Sequence, residues 1–500
     1  MQIETWEQLK SWLTELGALE PQTESPEMVK RLDLSDKALE QLPEAIGMLE
    51  GLVALNLSNN LLAELPESIS KLTSLTTLNI RRNRFTELPA SIGTLPLRSL
   101  NANGNRIDDA SVLKQCRDLR VLDLSVNMLA SLQGAIDPEN ELRVVNLSCN
   151  YFEEIGYLFE DLSATERLDL SGNMIRNIPE TIGNMEGLVV LSLANNHIES
   201  IDDAFFDLPV EEVDLSSNEI TTIHLRNLED LETITLDFNP IEEITVAEDF
   251  APYLESFSCD GCGLESFLPL KSTELKNLCY SSNELKEIPE WVSQYSQLHE
   301  LDLDGNQIVD LPDSMANLTN LKILYIEDNP LNEHAKRVID ILHPEICDIK
   351  MKRGVTVERA QEGDLSQMAE LLSELFAIEQ DFEIDFEKQL AGITKLFHHE
   401  GKELLVARHE GKVVGMVTMQ RLISSAEGDY IGQIEDLIVR EDYRKMGIGS
   451  RLLNKMRAIA QELKYKRIQL AADAANENAQ ELYVRRGLYQ THLKVFHYKA

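Results

Sequence analysis

The 500 residues carry 46 Lys and Arg against 86 Asp and Glu, a net charge of −40, with 43% apolar and 6% aromatic residues. That apolar content suffices for a buried core and excludes wholesale disorder, while charge of this sign argues against a nucleic-acid binder, whose affinity comes from neutralising phosphates. No apolar run approaches the roughly 18 residues of a membrane span, the acidic start is unlike a signal peptide, and six scattered cysteines make no disulfide framework. The expectation is a cytoplasmic protein with no membrane and no nucleic-acid partner.

The charge is uneven. Residues 351–500 hold 22 basic and 23 acidic residues, which leaves 24 and 63 for residues 1–350. Two modules with different partners are expected. At the start, Trp6, Leu9, Trp12, Leu13 and Leu16 fall at helical spacing. They predict an amphipathic helix that caps the segment after it, although the two tryptophans can also be read as a partner anchor.

A repeat then dominates. LVALNLSNN (Leu52–Asn60), LRVLDLSVN (Leu119–Asn127), LVVLSLANN (Leu188–Asn196) and LHELDLDGN (Leu298–Asn306) all fit L-x-x-L-x-L-x-x-N. The Asn-type position recurs from Lys37 to Asn329 in steps of 21 to 23 residues, giving fourteen units. In each unit two leucines point inward from a short strand and the residue between them points out. The Asn side chain can satisfy loop backbone groups, and a Pro in LPESI, LPASI, IPETI or LPDSM starts a short helical return. One unit cannot bury its own leucines, so stability must come from stacking. Over residues 31–329 the pattern resembles the leucine-rich repeat family, a solenoid. Leu331–Leu342 reads as a helix closing it before Pro344.

In such arrays partners usually bind the concave strand face. Outward positions of the second half gather Glu212, Asp214, Asp237, Asp260, Glu300, Asp302, Asp304, Glu327 and Asp328. This predicts either a surface that steers a basic protein or peptide, or ordinary solvation of a long array. Cys259-x-x-Cys262 suggests zinc at first sight. Cys259 holds a buried leucine position and Cys262 the Asn position, so a structural role and no metal are expected.

From about residue 353 strands and helices alternate. GVTVERA (Gly354–Ala360) reads as a strand, and Asp364 is placed to cap the helix LSQMAELLSELF. ELLVARHEGKVVGMVTMQ reads as two strands around a tight turn, and AEGDY (Ala426–Tyr430), with Glu427 and Asp429, as a polar loop. Ile434–Val439 (IEDLIV) is an apolar strand that leads into Arg444-Lys445-Met446-Gly447-Ile448-Gly449 and a long helix. Glycines and successive amides at a helix start make an anion cradle, and Arg444, Lys445 and Arg451 add positive charge. It is neither a Walker loop nor a dinucleotide fingerprint. His492 and His497 sit an odd number apart in a strand-like run, on opposite faces, and predict no metal site.

Arg444–Gly449 (R-x-x-G-x-G), together with Asn476, Ala479 and Tyr483 (N-x-x-A-x-x-x-Y), resembles the GNAT family of acetyl-CoA-dependent N-acetyltransferases over residues 353–500, with Leu488 where an aromatic is usual. The resemblance implies an α/β protein: helical cap 1–30, repeat array 31–349, and a GNAT-fold α+β domain 350–500 with a central mixed sheet. It implies that Arg444, Lys445, Met446, Gly447, Ile448, Gly449 and Ser450 hold the CoA pyrophosphate. The strand Leu437, Ile438, Val439 and Asn476 would hold the pantetheine arm. The IED start resembles the diamine and spermidine/spermine acetyltransferase branch, where a Glu at this place is the proposed base. Either Glu435 or a water chain would then deprotonate an acceptor amine. Gln433, where other branches carry the acid, cannot be a base, and Tyr483 would be the acid that protonates the thiolate. In a regular strand Glu435, Leu437 and Val439 share a face and Asp436 takes the other. A structural carboxylate at Glu435 and a packed aromatic at Tyr483 are the plainer roles. A scaffold that binds CoA without catalysis is the competing reading of the whole.

Overall fold

The computed structural model describes residues 3–483 except 138, 343–347, 350–354, 378–383, 410, 426–427, 445–447, 473–475 and 477–482. Packing divides the chain into two compact units, residues 1–264 with 268–277 and residues 278–489, with short exchanges at 265–267 and near the end. The repeat pattern changes near residue 350, whereas the packing division falls at 277/278. The last repeats therefore share a unit with the C-terminal module. Among the described residues no helix is long and apolar enough to cross a membrane.

In the first unit three-residue strands from Arg31–Asp33 to Ser256–Ser258 pair parallel and in register. Every central residue is apolar and buried, from Leu32 against Leu55 to Ile234 against Phe257. The return turns follow from the prolines. After Pro43, Pro66, Pro89 and Pro179 the chain enters a 3₁₀ turn, and the third residue's N–H returns to the proline carbonyl, as from Ile69 to Pro66 at 3.0 Å. The amino-terminal helix is Trp6–Glu15, with a reciprocal Thr5–Gln8 cap, buried Leu9 and Leu13, and the Trp6 indole donating to the Glu24 carbonyl at 3.3 Å.

The recurring asparagine ties neighbouring units together. Asn127, 2% exposed, donates through Nδ2 to the Leu124 carbonyl of its own unit (2.9 Å) and the Ala102 carbonyl of the unit before (3.1 Å). Its Oδ1 accepts the Ile107 N–H of that earlier unit at 3.0 Å. Asn60, Asn83 and Asn105 repeat the arrangement. At Cys262 the thiol donates to the Leu236 carbonyl at 3.2 Å, so sulfur takes over part of the amide's role, and Cys259 is fully buried. Asn127→Ala orphans one N–H and removes the bonds to the Leu124, Ala102 and Ser125 carbonyls. It is expected to cost about 1–3 kcal/mol in equilibrium unfolding, with Asn127→Cys intermediate.

In the second unit Glu300–Asp302 and Ile323–Tyr325 continue the parallel pattern, and Asp348–Ile349 pairs with Ile323–Leu324. The closing helix runs Glu333–Leu342, beginning after Asn332 accepts the N–H groups of His334 and Ala335, and it buries Ala335, Val338, Ile339 and Leu342.

The C-terminal module is numbered from its own start. Strands β1 (Val355–Arg359), β2 (Lys402–His409), β3 (Lys412–Ser424) and β4 (Asp429–Val439) run antiparallel in that order, and β5 (Ile468–Leu470) is parallel to β4. The sheet is thus mixed. Alternation along β2 sends Leu404 and Val406 to helices α1 (Leu365–Phe376) and α2 (Phe386–Phe397), and Leu405 and Ala407 to helix α3 (Ile448–Glu462). Asp364 does not cap α1 with its side chain. It is buried and held by the Arg408 guanidinium at 2.8 and 2.9 Å, so its charge is spent on β2.

Candidate functional site

Strand β4 carries the site because it is irregular in two ways. Thr418 of β3 faces Asp436, but the next residue, Met419, faces Ile434. Glu435 is therefore an extra residue, a β-bulge, and it is exposed. Ile434 and Leu437, three apart, pack into the same core cluster beside α3, which a regular strand forbids. The alternation that groups Glu435 with Leu437 and Val439 does not hold across the bulge.

The second irregularity is in the ladder to β5, which among the described residues joins Gly432, Gln433 and Ile434 to Ile468–Leu470, with Ala471 and Ala472 already outside the strand. Beyond the bulge, the Arg440 N–H donates to the Val414 carbonyl at 2.9 Å, which turns the backbone groups of 438 and 440 towards β3. Those of Leu437 and Val439 then face the β5 side of the strand. The Val439 carbonyl is met by Arg444 Nε at 2.9 Å. Arg444 thus closes the strand-to-helix turn, through the 3₁₀ turn Glu441–Tyr443.

Asp436, on the α1 side of the bulge, is half-buried. Its carboxylate accepts from Thr418 Oγ1 at 2.7 Å, and its own N–H donates to the same oxygen at 3.2 Å. Burial, with a smaller push from the Glu435 charge and against the Thr418 bond, raises its carboxyl to about 6. A raised carboxyl beside an exposed carboxylate, at a bulge in the sheet, is an acid–base arrangement. The β5-side edge leads into α3, whose first residue Ile448 is buried and whose Gly449 is half-buried. The edge offers peptide groups to an extended amide chain, and the start of a 15-residue helix offers amides to an anion.

Residues 365–488 match the acetyltransferase (GNAT) family. Bovine thialysine N-epsilon-acetyltransferase is 30% identical over 138 residues, 26% of this chain and 81% of that protein. The chain belongs to the GNAT family of acetyltransferases. The aminoalkylphosphonate N-acetyltransferase of Salmonella typhimurium is 25% identical over 112 residues, 22% of this chain and 73% of that protein. Residues 27–85, 140–198, 186–241 and 297–318 match leucine-rich repeats. A leucine-rich repeat protein of Leptospira interrogans superposes with a TM-score of 0.52 at 25% identity, covering 65% of this chain and 96% of that one. Two other curated relatives are matched over less of their length: 10% of a probable serine/threonine-protein kinase of Dictyostelium discoideum, 34% identical over 120 residues, and 32% of bovine osteomodulin, 29% identical over 137 residues.

Of the residues expected to serve this GNAT site, Glu435, Leu437, Ile438, Val439 and Arg444 come together on β4 and its turn. Ile438 points to the opposite face, into the core of α1 and α2. Asn476 and Tyr483 are half-buried, and the Tyr483 ring packs against the α3-side cluster. Lys445, Met446 and Gly447 lie outside the described residues, as do Glu427, Ala479, Leu488, His492 and His497 and the side chain of Ser450. Arg451 does not join the cradle: it is buried and bound to carboxylates of the last repeat. Sequence reasoning set Asp436 aside as facing away. The partner strand's Thr418 is the only signal for it, and pairing cannot be read from one strand.

The acidic columns of the array are less available than their letters suggest. In each of Asp33, Asp123, Asp169, Asp214 and Asp302 the carboxylate accepts the N–H two residues on, closing its own strand end. Asp237 is buried, accepts from Ser258 Oγ (2.6 Å) and the Asp260 N–H (2.8 Å), and is pushed up to about 8 by burial and by Asp260.

Proposed function

We propose that the protein is an acetyl-CoA-dependent N-acetyltransferase acting on a primary amine. The reading is carried by the β5-side edge of β4 at Leu437–Val439, which lies between a bulged pair of carboxylates and the start of α3. Acetyl-CoA would lie with its amide arm along Leu437 and Val439, near Asn476, and its pyrophosphate at residues 444–450. What supports this is that the backbone groups of Leu437 and Val439 turn to the β5 side and that α3 begins at Ile448. The acceptor amine attacks the thioester carbonyl, the ammonium proton passes to Glu435 at the exposed bend, and the departing thiolate takes a proton from Tyr483.

With the modules divided at residues 349/350, the array would recruit a protein partner and raise its effective concentration at the catalytic module. Support for a basic protein or peptide is the charge of residues 1–350 and carboxylates left at the surface, such as Glu212. Asp237, Asp260 and Asp302 are buried and contribute little to it. Residues 351–436 hold 9 basic and 17 acidic residues, and residues 437–500 hold 13 and 6. An anionic cofactor thus meets the basic half and a cationic amine the acidic half.

The test is thiol release from acetyl-CoA by the full chain, with polyamines and with lysate proteins as acceptors. Amine-dependent release is expected. Binding of CoA with no release for any acceptor would leave a scaffold. Glu435→Gln is expected to lower turnover about 100-fold while leaving CoA binding intact. Unchanged turnover would remove Glu435 as the base.

A further inference from the structure

Arg451, in the first turn of α3, is 6% exposed. Its guanidinium donates to both carboxylate oxygens of Asp328, at 2.9 and 3.2 Å, to Glu327, and to the Val355 carbonyl of β1 at 3.2 Å. One turn later Asn454 Nδ2 lies 3.4 Å from Ser282 Oγ, and Lys455 Nζ donates to the Val357 carbonyl at 2.7 Å. Residues 451, 454 and 455 share one face of the helix. Over the first two turns that face is bound to β1 and to residues that follow repeat strands, all within the second compact unit.

The ion pair is not a surface accident. The Glu327 side chain is 10% exposed and that of Arg451 5%, so both charges have left water and depend on each other. Burial raises the Glu327 carboxyl while Arg451 pulls the other way, so the Arg451 cation is shared between a buried Glu327 and the more exposed Asp328. Arginine keeps its proton throughout, so removing its partners strands a cation in the first turn of the helix. Glu327 and Asp328 directly follow the last repeat's strand Ile323–Tyr325 and its buried Ile326, which anchors them.

We infer that Arg451 is a positioning residue, through which Glu327 and Asp328 of the last repeat fix the first turn of α3 and thereby set the affinity for acetyl-CoA. The inference rests on the acetyl-CoA reading above. On it, the array is part of the cofactor site's support as well as a recruiting surface.

The test uses the full chain with Glu327→Gln/Asp328→Asn, with Asp328→Asn alone as the milder variant, and with Arg451→Met. Steady-state KM for acetyl-CoA and kcat are measured, together with cofactor-free hydrogen exchange across residues 448–462. Both the Gln/Asn and the Met variants should raise KM about tenfold with kcat nearly constant, and the first turns of α3 should exchange faster. Asp328→Asn alone should move both readouts the same way by less, and it decides the matter if either larger change prevents folding. If Arg451 touched the pyrophosphate itself, freeing it from the acids would leave KM unchanged or lower it, and only Arg451→Met would raise it. That pattern overturns the inference, as does unchanged KM and exchange in all variants. If the parent chain bound no acetyl-CoA, the functional reading would fail, and exchange in α3 would decide the latch by itself: unchanged exchange overturns it.

Discussion

Asp436→Asn is expected to stabilise the protein at pH 8 and to slow it. The Asp436 carboxyl titrates near 6 in the folded chain, against an ordinary value of 3.8. Between those values the folded state binds more protons than the unfolded one, so stability falls as pH rises from about 4 to about 6 and stays low above. Asparagine removes that loss while still accepting from Thr418 Oγ1. The variant should match the parent below pH 4 and exceed it by about 3 kcal/mol above pH 7, read from denaturant midpoints across the pH range. A group that costs stability at the mouth of a site is a candidate for function. The rate for the amine, as kcat/KM, should therefore rise with pH on a limb near 6, well below the amine's own titration. In Asp436→Asn that limb should vanish with a loss of about tenfold. A variant no more stable than its parent at pH 8 would show that the carboxylate is better solvated than its burial implies. A retained limb would assign the titration to another group.

Tyr483→Phe separates packing from chemistry. The ring lies against the α3-side cluster with Leu437, Val439 and Tyr465, so phenylalanine keeps the buried surface. Thermal stability should stay within about 0.5 kcal/mol of the parent, while kcat falls about 100-fold if the phenol protonates the leaving thiolate. A thioester with a better leaving group, a thiol of lower pKa, should recover most of the loss. Without that recovery the hydroxyl acts by holding another group. A fall in stability with unchanged kcat would reduce Tyr483 to a packed aromatic.

What the letters reveal depends on whether a structure is written in one segment or two. The repeats are legible because each unit repeats its own pattern, and the Asn column and the proline-started turns follow from local chemistry. The strand–turn–helix that identifies the C-terminal module is likewise contiguous. The bulge at Glu435 is not, because IEDLIV reads equally well as a regular strand and the shift is set where Thr418 and Met419 meet it. The fate of Arg451 is hidden for the same reason, since its partners lie 123 and 124 residues away. The acidic columns illustrate a missed local signal. Asp33, Asp123, Asp169 and Asp214 are each followed two residues on by serine, a sequence that writes a carboxylate closing its own turn. Of the acids gathered on the second half, Asp214 carries this signal, and counting it as binding surface overstates that surface.

The asparagine column also gives the array a direction. Each buried amide serves the loop of the unit before it, as Asn127 serves Ile107 and Asn329 serves Ile308. Shortening the chain from its amino end leaves every surviving loop with the following unit's asparagine, or with Cys262 where that replaces it, needing only a new lid for the first exposed leucines. Cutting after any unit strips the loop just upstream of the residue that completes it. Such an array can gain or shed units at one end far more readily than at the other, and its length is free to drift where the chain begins and pinned where it meets the catalytic module.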